Sequence, residues 1–181
     1  MNYSSEISEN DEIAEQVRLR AENCFSARRI CCSEAVFYVL NKAFGGEVDP
    51  ALSIRLASGF CHGLGGAENL CGAISGASIG LGLFLGPDSP GGMKRKDFRK
   101  TVKEFHDRFI EQTGSASCKV LLEHVKDDTK AKLKNCQGLT GTGAFLAAKV
   151  LLEKKPKLKE KLDREFLAER ENKLTGMFKK F

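Results

Sequence analysis

Apolar positions recur at helical spacing along most of the chain. Ile13, Val17 and Ala21 fall four apart and predict an opening helix over residues 11 to 24, with charged residues on its other side. A second helix is predicted from about Ser33 to Phe44, built on Ala35, Val36, Val39, Leu40 and Ala43 and stopped by Gly45-Gly46. Asp49-Pro50 then offers a cap and a first-turn proline to a third helix reaching Phe60, with Leu52, Leu56 and Phe60 on one face.

Residues 59 to 66 form a glycine-rich connection, Gly-Phe-Cys-His-Gly-Leu-Gly-Gly. A helix from Cys71 to Leu85 follows, carrying Gly72, Gly76 and Gly80 on one face. A glycine inside a helix costs roughly 0.5–1 kcal/mol relative to alanine. Three in a row therefore call for a neighbour that comes very close, either within the core or across a dimer. Gly86-Pro87-Asp88 ends the run before about 20 apolar residues accumulate, so the pattern is a buried helix of a soluble protein with no membrane role.

Beyond the loop at Pro87–Gly92, residues Met93 to Gln112 read as a basic amphipathic helix with Phe98, Val102, Phe105, Phe109 and Ile110 inward. Cys118 to His124 starts another helix after a break at residues 114–117. Asp127 to Asn135 is polar and weakly helical in pattern, Cys136 to Gly143 reads as a loop, and Ala144 to Glu153 as a final core helix. No alternating β-branched run occurs. The expected fold is all-α: a single-domain helical bundle with a buried glycine-rich helix, spanning residues 1–154, and a charged helical extension over 155–181 bearing Leu158, Leu162, Phe166 and Leu167 as a surface helix or dimer arm.

Charge changes this picture in one place. The net +5 lies in residues 149–181, with 11 Lys and Arg against 6 Asp and Glu, whereas the first 148 residues balance at 18 of each. A balanced main domain offers no basic stripe for nucleic acid, which is an unexpected partner. The first twenty residues show no basic start, apolar stretch or twin arginine, so the expected compartment is the cytosol. There, seven cysteines, an odd number, are poorly explained as a disulfide framework and point to metal, redox chemistry or burial.

Cys32, Cys71, Cys118 and Cys136 each fall at or just before a predicted helix start. Unpaired amides and the helix dipole favour thiolate there, and a shared metal or cluster needs several thiolates at once. Cys24 reads as a buried residue of the first helix, and His106 and His124 as solvated. His62, in the glycine-rich loop, is a candidate ligand or proton carrier. No hydrolytic triad, phosphate loop or dinucleotide fingerprint is present.

The run Cys32-Ser33-Glu34-Ala35-Val36, then Ala57-Ser58-Gly59-Phe60, then Cys71-Gly72-Ala73-Ile74-Ser75-Gly76, then Phe109 with Gly114-Ser115 ahead of Cys118, then Cys136-Gln137-Gly138-Leu139-Thr140-Gly141, resembles the C_GCAxxG_C_C family over roughly residues 20 to 150. That family is regarded as redox-active on the strength of its four cysteines and is similar to the iron–sulfur portion of split-Soret cytochromes. The resemblance implies a joint site of Cys32, Cys71, Cys118 and Cys136. Cys61-His62 stands where the family tends to have glycine, and Cys31 directly precedes Cys32, so Cys31 and Cys61 substitute as ligands or merely pack. Covalent haem is not expected, because Ser58 stands three before Cys61 and no C-x-x-C-H is formed.

The leading expectation is thus a cytosolic electron-transfer or redox-sensing protein that holds an iron–sulfur cluster, two-iron by expectation, and meets a redox partner protein. The alternatives are a metal-free thiol/disulfide protein using the same cysteines in pairs, and a structural zinc or interaction module in which the glycine face and basic tail bind a partner or a second copy of the chain.

Overall fold

The computed structural model describes residues 8–27, 30–90 and 95–171. Among them the only strand-like pairing is one isolated antiparallel bridge between Leu70 and Ser117, and the fold is all-α. The expected start of the basic helix at Met93 and the tail beyond Glu171 lie outside the described residues.

Local chemistry sets the helix starts. Helix α1 (Glu9–Ser26) is capped by Ser8, whose hydroxyl accepts the Asp11 N–H at 3.2 Å, and three acids in its first turn complement the dipole. α2 is Cys32–Ala43. α3 (Pro50–Ser58) starts as expected, with the Asp49 carboxylate accepting the Leu52 N–H at 3.0 Å. A short turn, α4 (Cys61–Leu64), precedes α5 (Gly72–Leu85), α6 (Arg95–Thr113) and α7 (Cys118–Leu122). α8 spans Thr129–Lys154 and α9 Arg164–Ala168.

Helices α1, α2, α5 and α8 pack into one core, with α6 against α8 and α5 and α3 on α2. The α1–α8 seam is made of small or branched residues, Ala14, Val17 and Ala21 against Ala144, Ala147 and Leu151, all fully buried. Small side chains let the two axes approach closely.

The neighbour that the glycine face of α5 requires is α2 of the same chain. A Cβ on Gly76 would strike the Ser33 carbonyl oxygen and sit 2.9 Å from the Ser33 C and Cα atoms. One on Gly80 would lie 2.6 Å from Leu40 Cδ1, and one on Gly72 would run into the Cys32 sulfur. The three glycines thus bring the backbones of α2 and α5 together over two turns, and with them Cys32 and Cys71.

The segment from 127 to 153 departs from expectation. Cys136–Gly143, read as a loop, is the interior of the single helix α8. Its glycines mark close approach rather than a break: a Cβ on Gly143 would sit 3.0 Å from Ala73 of α5, and one on Gly141 would overlap the Glu22 side chain of α1. Thr140 and Thr142 satisfy their hydroxyls on carbonyls four residues back, at 2.7 and 3.0 Å, as threonines in helix interiors can.

The segment after Lys154 is helical in two short pieces, a 3-10 turn at Pro156–Lys161 and α9, and both lie on the protein's own core. Leu158, Phe166 and Leu167 are buried. Arg20, itself buried, reaches Glu169 at 3.0 Å and Glu171 at 3.4 Å, and its guanidinium lies 4.5 Å from the Phe166 ring centroid. The Asp163 N–H donates to the Ala43 carbonyl at 3.0 Å.

Candidate metal centre

The helix starts of α2, α5 and α7 meet the second turn of α8 around a cavity of about 430 Å³. Cys32, Cys71, Cys118 and Cys136 all line it, with Cys31, His62, Glu68 and Lys132, and Phe25, Leu121, Leu122, Leu133 and Leu139 supply its apolar wall. Four cysteines far apart in sequence are delivered to one space by four different helices.

Backbone pairing explains how Cys71 and Cys118 meet. The strand-like segments at 68–71 and 116–119 exchange three hydrogen bonds: Cys71 N–H to Ala116 O at 2.8 Å, Cys118 N–H to Asn69 O at 2.6 Å and Lys119 N–H to Glu68 O at 2.9 Å. The Asn135 amide, one residue before Cys136, donates to the Leu121 carbonyl at 2.9 Å and ties α8 to α7. Gly63 closes the same corner, since a Cβ there would lie 2.7 Å from that of Cys118.

Three of the four cysteines keep the predicted position at a helix start: Cys71 is the N-cap of α5, and Cys32 and Cys118 open α2 and α7. Cys136 does not, because α8 begins at Thr129. The expectation of dipole-stabilised thiolates also needs correction, because burial outweighs the helix-start effect. Desolvation pushes the Cys71 thiol up to about 12 and Cys136 up to about 11, with repulsion from neighbouring cysteines adding to both. Cys32 and Cys118 are raised as well, again chiefly by burial.

Nearby amides and charges act against the burial. The His62 and Ser33 amides hydrogen-bond the Cys32 sulfur and the Ala73 amide bonds that of Cys71. Lys132 favours thiolate at Cys118 and Cys136, while Glu68 disfavours it at Cys118. Burial thus favours the thiol over the thiolate at all four positions. A metal bound by these sulfurs would have to displace their protons.

His62 also lines the cavity, at the head of an unusual turn. His62, Gly63, Leu64 and Gly65 take φ of 55°, 71°, 71° and 62°, a run of left-handed residues in which His62 and Leu64 are not glycine. A side chain in that region costs roughly 1–2 kcal/mol. The turn places the His62 N–H on the Cys32 sulfur. Cys24 is buried in the core at 3% exposure and does not line the cavity, and His124 is exposed on the surface. His106 bonds the Asp107 carboxylate at 3.3 Å.

Sequence reasoning left Cys31 and Cys61 as spare ligands or packing residues; here their sulfurs lie at disulfide distance, with Cα atoms 6.1 Å apart. Among the described residues, Cys31, Glu34 and Cys61 are the one group of three metal-competent side chains whose donor atoms all lie within 4.8 Å of one another. The four cavity cysteines are spaced more widely than that. A tetrahedral ion with Zn–S bonds of 2.3 Å draws its sulfurs to about 3.8 Å.

A family model described as "Putative redox-active protein (C_GCAxxG_C_C)" matches residues 30–150, which include all four cavity cysteines. No curated protein and no solved structure matches the chain. The pattern in that description puts cysteine directly before alanine, whereas this chain has Cys71-Gly72-Ala73, with the cysteine one place earlier. The shift is compatible with a cysteine facing the cavity, because Gly72 is pressed against the Cys32 sulfur and Cys71, at the N-cap, is on the wall.

Proposed function

The chain belongs to the C_GCAxxG_C_C family, and from that premise we propose that Cys32, Cys71, Cys118 and Cys136 together hold an iron–sulfur cluster for electron transfer or redox sensing. The observation that carries this reading is the convergence of these four cysteines on one cavity.

The donor set fits such a group in three respects. All four donors are soft sulfurs, the class that iron–sulfur clusters take. No three of their sulfurs lie within 4.8 Å of one another, which accords with a group that spreads its ligands over more than one iron. Backbone amides already bond the Cys32 and Cys71 sulfurs, which is how proteins tune sulfur-ligated metals. When bound, the cluster supplies one-electron redox chemistry.

The chain's own part is to bind and shield. Phe25 and the cavity leucines keep water from the sulfurs, and Lys132 offsets part of the negative charge of the thiolates. The metal-free alternative, in which these four cysteines cycle as disulfides, asks thiols with raised pKa to act as nucleophiles.

Metal and inorganic-sulfide analysis of anaerobically purified protein tests the reading. The expected result is iron and sulfide in comparable amounts. Stoichiometric zinc without sulfide, or no metal with four titratable thiols that pair on mild oxidation, would overturn it.

A further inference from the structure

The Cys31–Cys61 bond lies beside the four-cysteine cavity but outside that ligand set, and its surroundings are unsymmetrical. Cys31 is the N-cap of α2, half-buried, and its side chain is part of the cavity wall. Cys61 is 9% exposed, behind it. An approaching group can therefore reach one sulfur and not the other.

The buried side is furnished for a thiol. Ser33, fully buried, donates its single hydroxyl proton to the Ala57 carbonyl at 2.9 Å. Its oxygen is then left as an acceptor 3.1 Å from the Cys61 sulfur. A disulfide sulfur has no hydrogen to give that acceptor, whereas a thiol has one. The position thus provides a hydrogen bond that exists only in the reduced state, so a reduced Cys61 leaves no buried donor without a partner. The left-handed turn begins at the next residue, His62, so the bond anchors a strained segment at one end.

We infer that Cys31–Cys61 is a second redox site, a disulfide reduced by exchange with a dithiol at its more exposed sulfur, Cys31. A thiolate of the dithiol attacks Cys31 Sγ, the Cys31–Cys61 bond breaks, and a mixed disulfide forms on Cys31. Cys61 departs as thiolate, takes up a proton from solvent and donates it to Ser33 Oγ. The second thiol of the reductant, losing its proton, attacks its own sulfur in the mixed disulfide and releases Cys31, which is protonated in turn. Two electrons and two protons pass from the dithiol to the pair, and the reductant leaves as a disulfide. In a compartment that keeps thiols reduced, a disulfide is characteristically a transient, working bond.

This inference does not depend on what fills the four-cysteine cavity, and its test reads individual cysteines. Full-length native protein is equilibrated without oxygen across a series of reduced-to-oxidised dithiothreitol ratios, quenched with acid, then unfolded and labelled with N-ethylmaleimide so that buried and exposed thiols react alike, and analysed by peptide mass spectrometry. Cys31 and Cys61 should pass together from unlabelled to labelled within the series, in native protein. If they are labelled only when the protein is unfolded before it meets the dithiothreitol the bond is structural, and if they are labelled at every ratio there is no disulfide; either result overturns the inference.

Two variants test the direction of attack. In Cys61→Ser the remaining Cys31 thiol should react with dithiobis(nitrobenzoate) on the order of tenfold faster than Cys61 does in Cys31→Ser. Equal or reversed rates would refute the route through Cys31. A protein that contains no iron but still shows the paired labelling would leave this site standing while removing the cluster.

Discussion

Two sets of sulfurs sit side by side in this protein and are built in opposite ways. Cys31 and Cys61 come from the α2 cap and the short α4 turn, their Cα atoms are 6.1 Å apart, and their sulfurs lie at disulfide distance. Cys32, Cys71, Cys118 and Cys136 come from four helices and stand around a cavity, and no three of their sulfurs lie within 4.8 Å of one another. Distance and burial separate the two chemistries. A pair close enough to bond is self-contained, whereas burial raises the pKa values of the cavity thiols, so a metal held there would have to displace their protons.

The largest effect expected on this contrast is from Cys71→Ser. Serine is nearly the same size but a poor ligand for soft metals, so it should remove nearly all bound metal while the Cys31–Cys61 bond forms as before. Metal analysis together with alkylation mapping checks both halves. Retained metal would remove Cys71 from the ligand set.

Next in size are changes at Gly76, which hold the two sulfur groups in common because Ser33, the residue it abuts, lies between Cys32 and the Ser33–Cys61 contact. Gly76→Leu should prevent folding or lower the unfolding temperature sharply. Gly76→Ala, despite its better helix propensity, should also destabilise by about 1–3 kcal/mol, because the added methyl meets Ser33 backbone that cannot swing aside. Thermal unfolding of both variants decides, and a gain in stability from alanine would contradict the close α2–α5 contact.

A smaller, pH-dependent effect separates loaded from metal-free protein. Folded Cys71 titrates near 12 against an ordinary 9.0, so the folded state keeps a proton that the unfolded chain gives up first. Its contribution to stability is intact below pH 9.0 and is lost as pH rises from there toward about 12. Metal-free protein should therefore melt progressively lower over that window, and metal-loaded protein, whose sulfurs carry no proton, should not share the loss. Calorimetry of both forms across the window reads it; identical alkaline slopes would show that Cys71 is not one of the sulfurs that metal deprotonates.

The smallest effect should come from Cys24→Ser. Cys24 is buried in the core and does not line the cavity, so the substitution should leave metal content and the disulfide unchanged. A drop in metal matching that of Cys71→Ser would erase the distinction between core and cavity cysteines.

Much of this was legible in the sequence because the signals were local. Asp49-Pro50 starts α3 by cap and φ preference, and the Gly72, Gly76, Gly80 face demanded a close neighbour that proves to be α2. Where the sequence misled, the deciding contact was distant. Gly141 and Gly143 look like loop residues until Glu22 of α1 and Ala73 of α5 are seen pressing on them, and reading them as a break put Cys136 at a helix start that does not exist. The docking of the tail depends on Arg20, nearly 150 residues earlier, which pairs with Glu169 and stacks on Phe166. For the disulfide the local hint was a cysteine beside a candidate ligand, Cys31 before Cys32; its partner at 61 could be found only once α2 and α4 were placed together.

The central claim, that four cysteines act as one site, is tested most directly by the visible absorption of anaerobically purified protein compared with six single-serine variants, at positions 31, 32, 61, 71, 118 and 136. The account predicts sulfur-to-iron charge-transfer bands in the parent protein that are lost or reshaped by serine at 32, 71, 118 or 136 and persist with serine at 31 or 61. A colourless parent protein, or bands that survive any one of the four cavity substitutions unchanged and vanish with Cys31→Ser or Cys61→Ser, would contradict it.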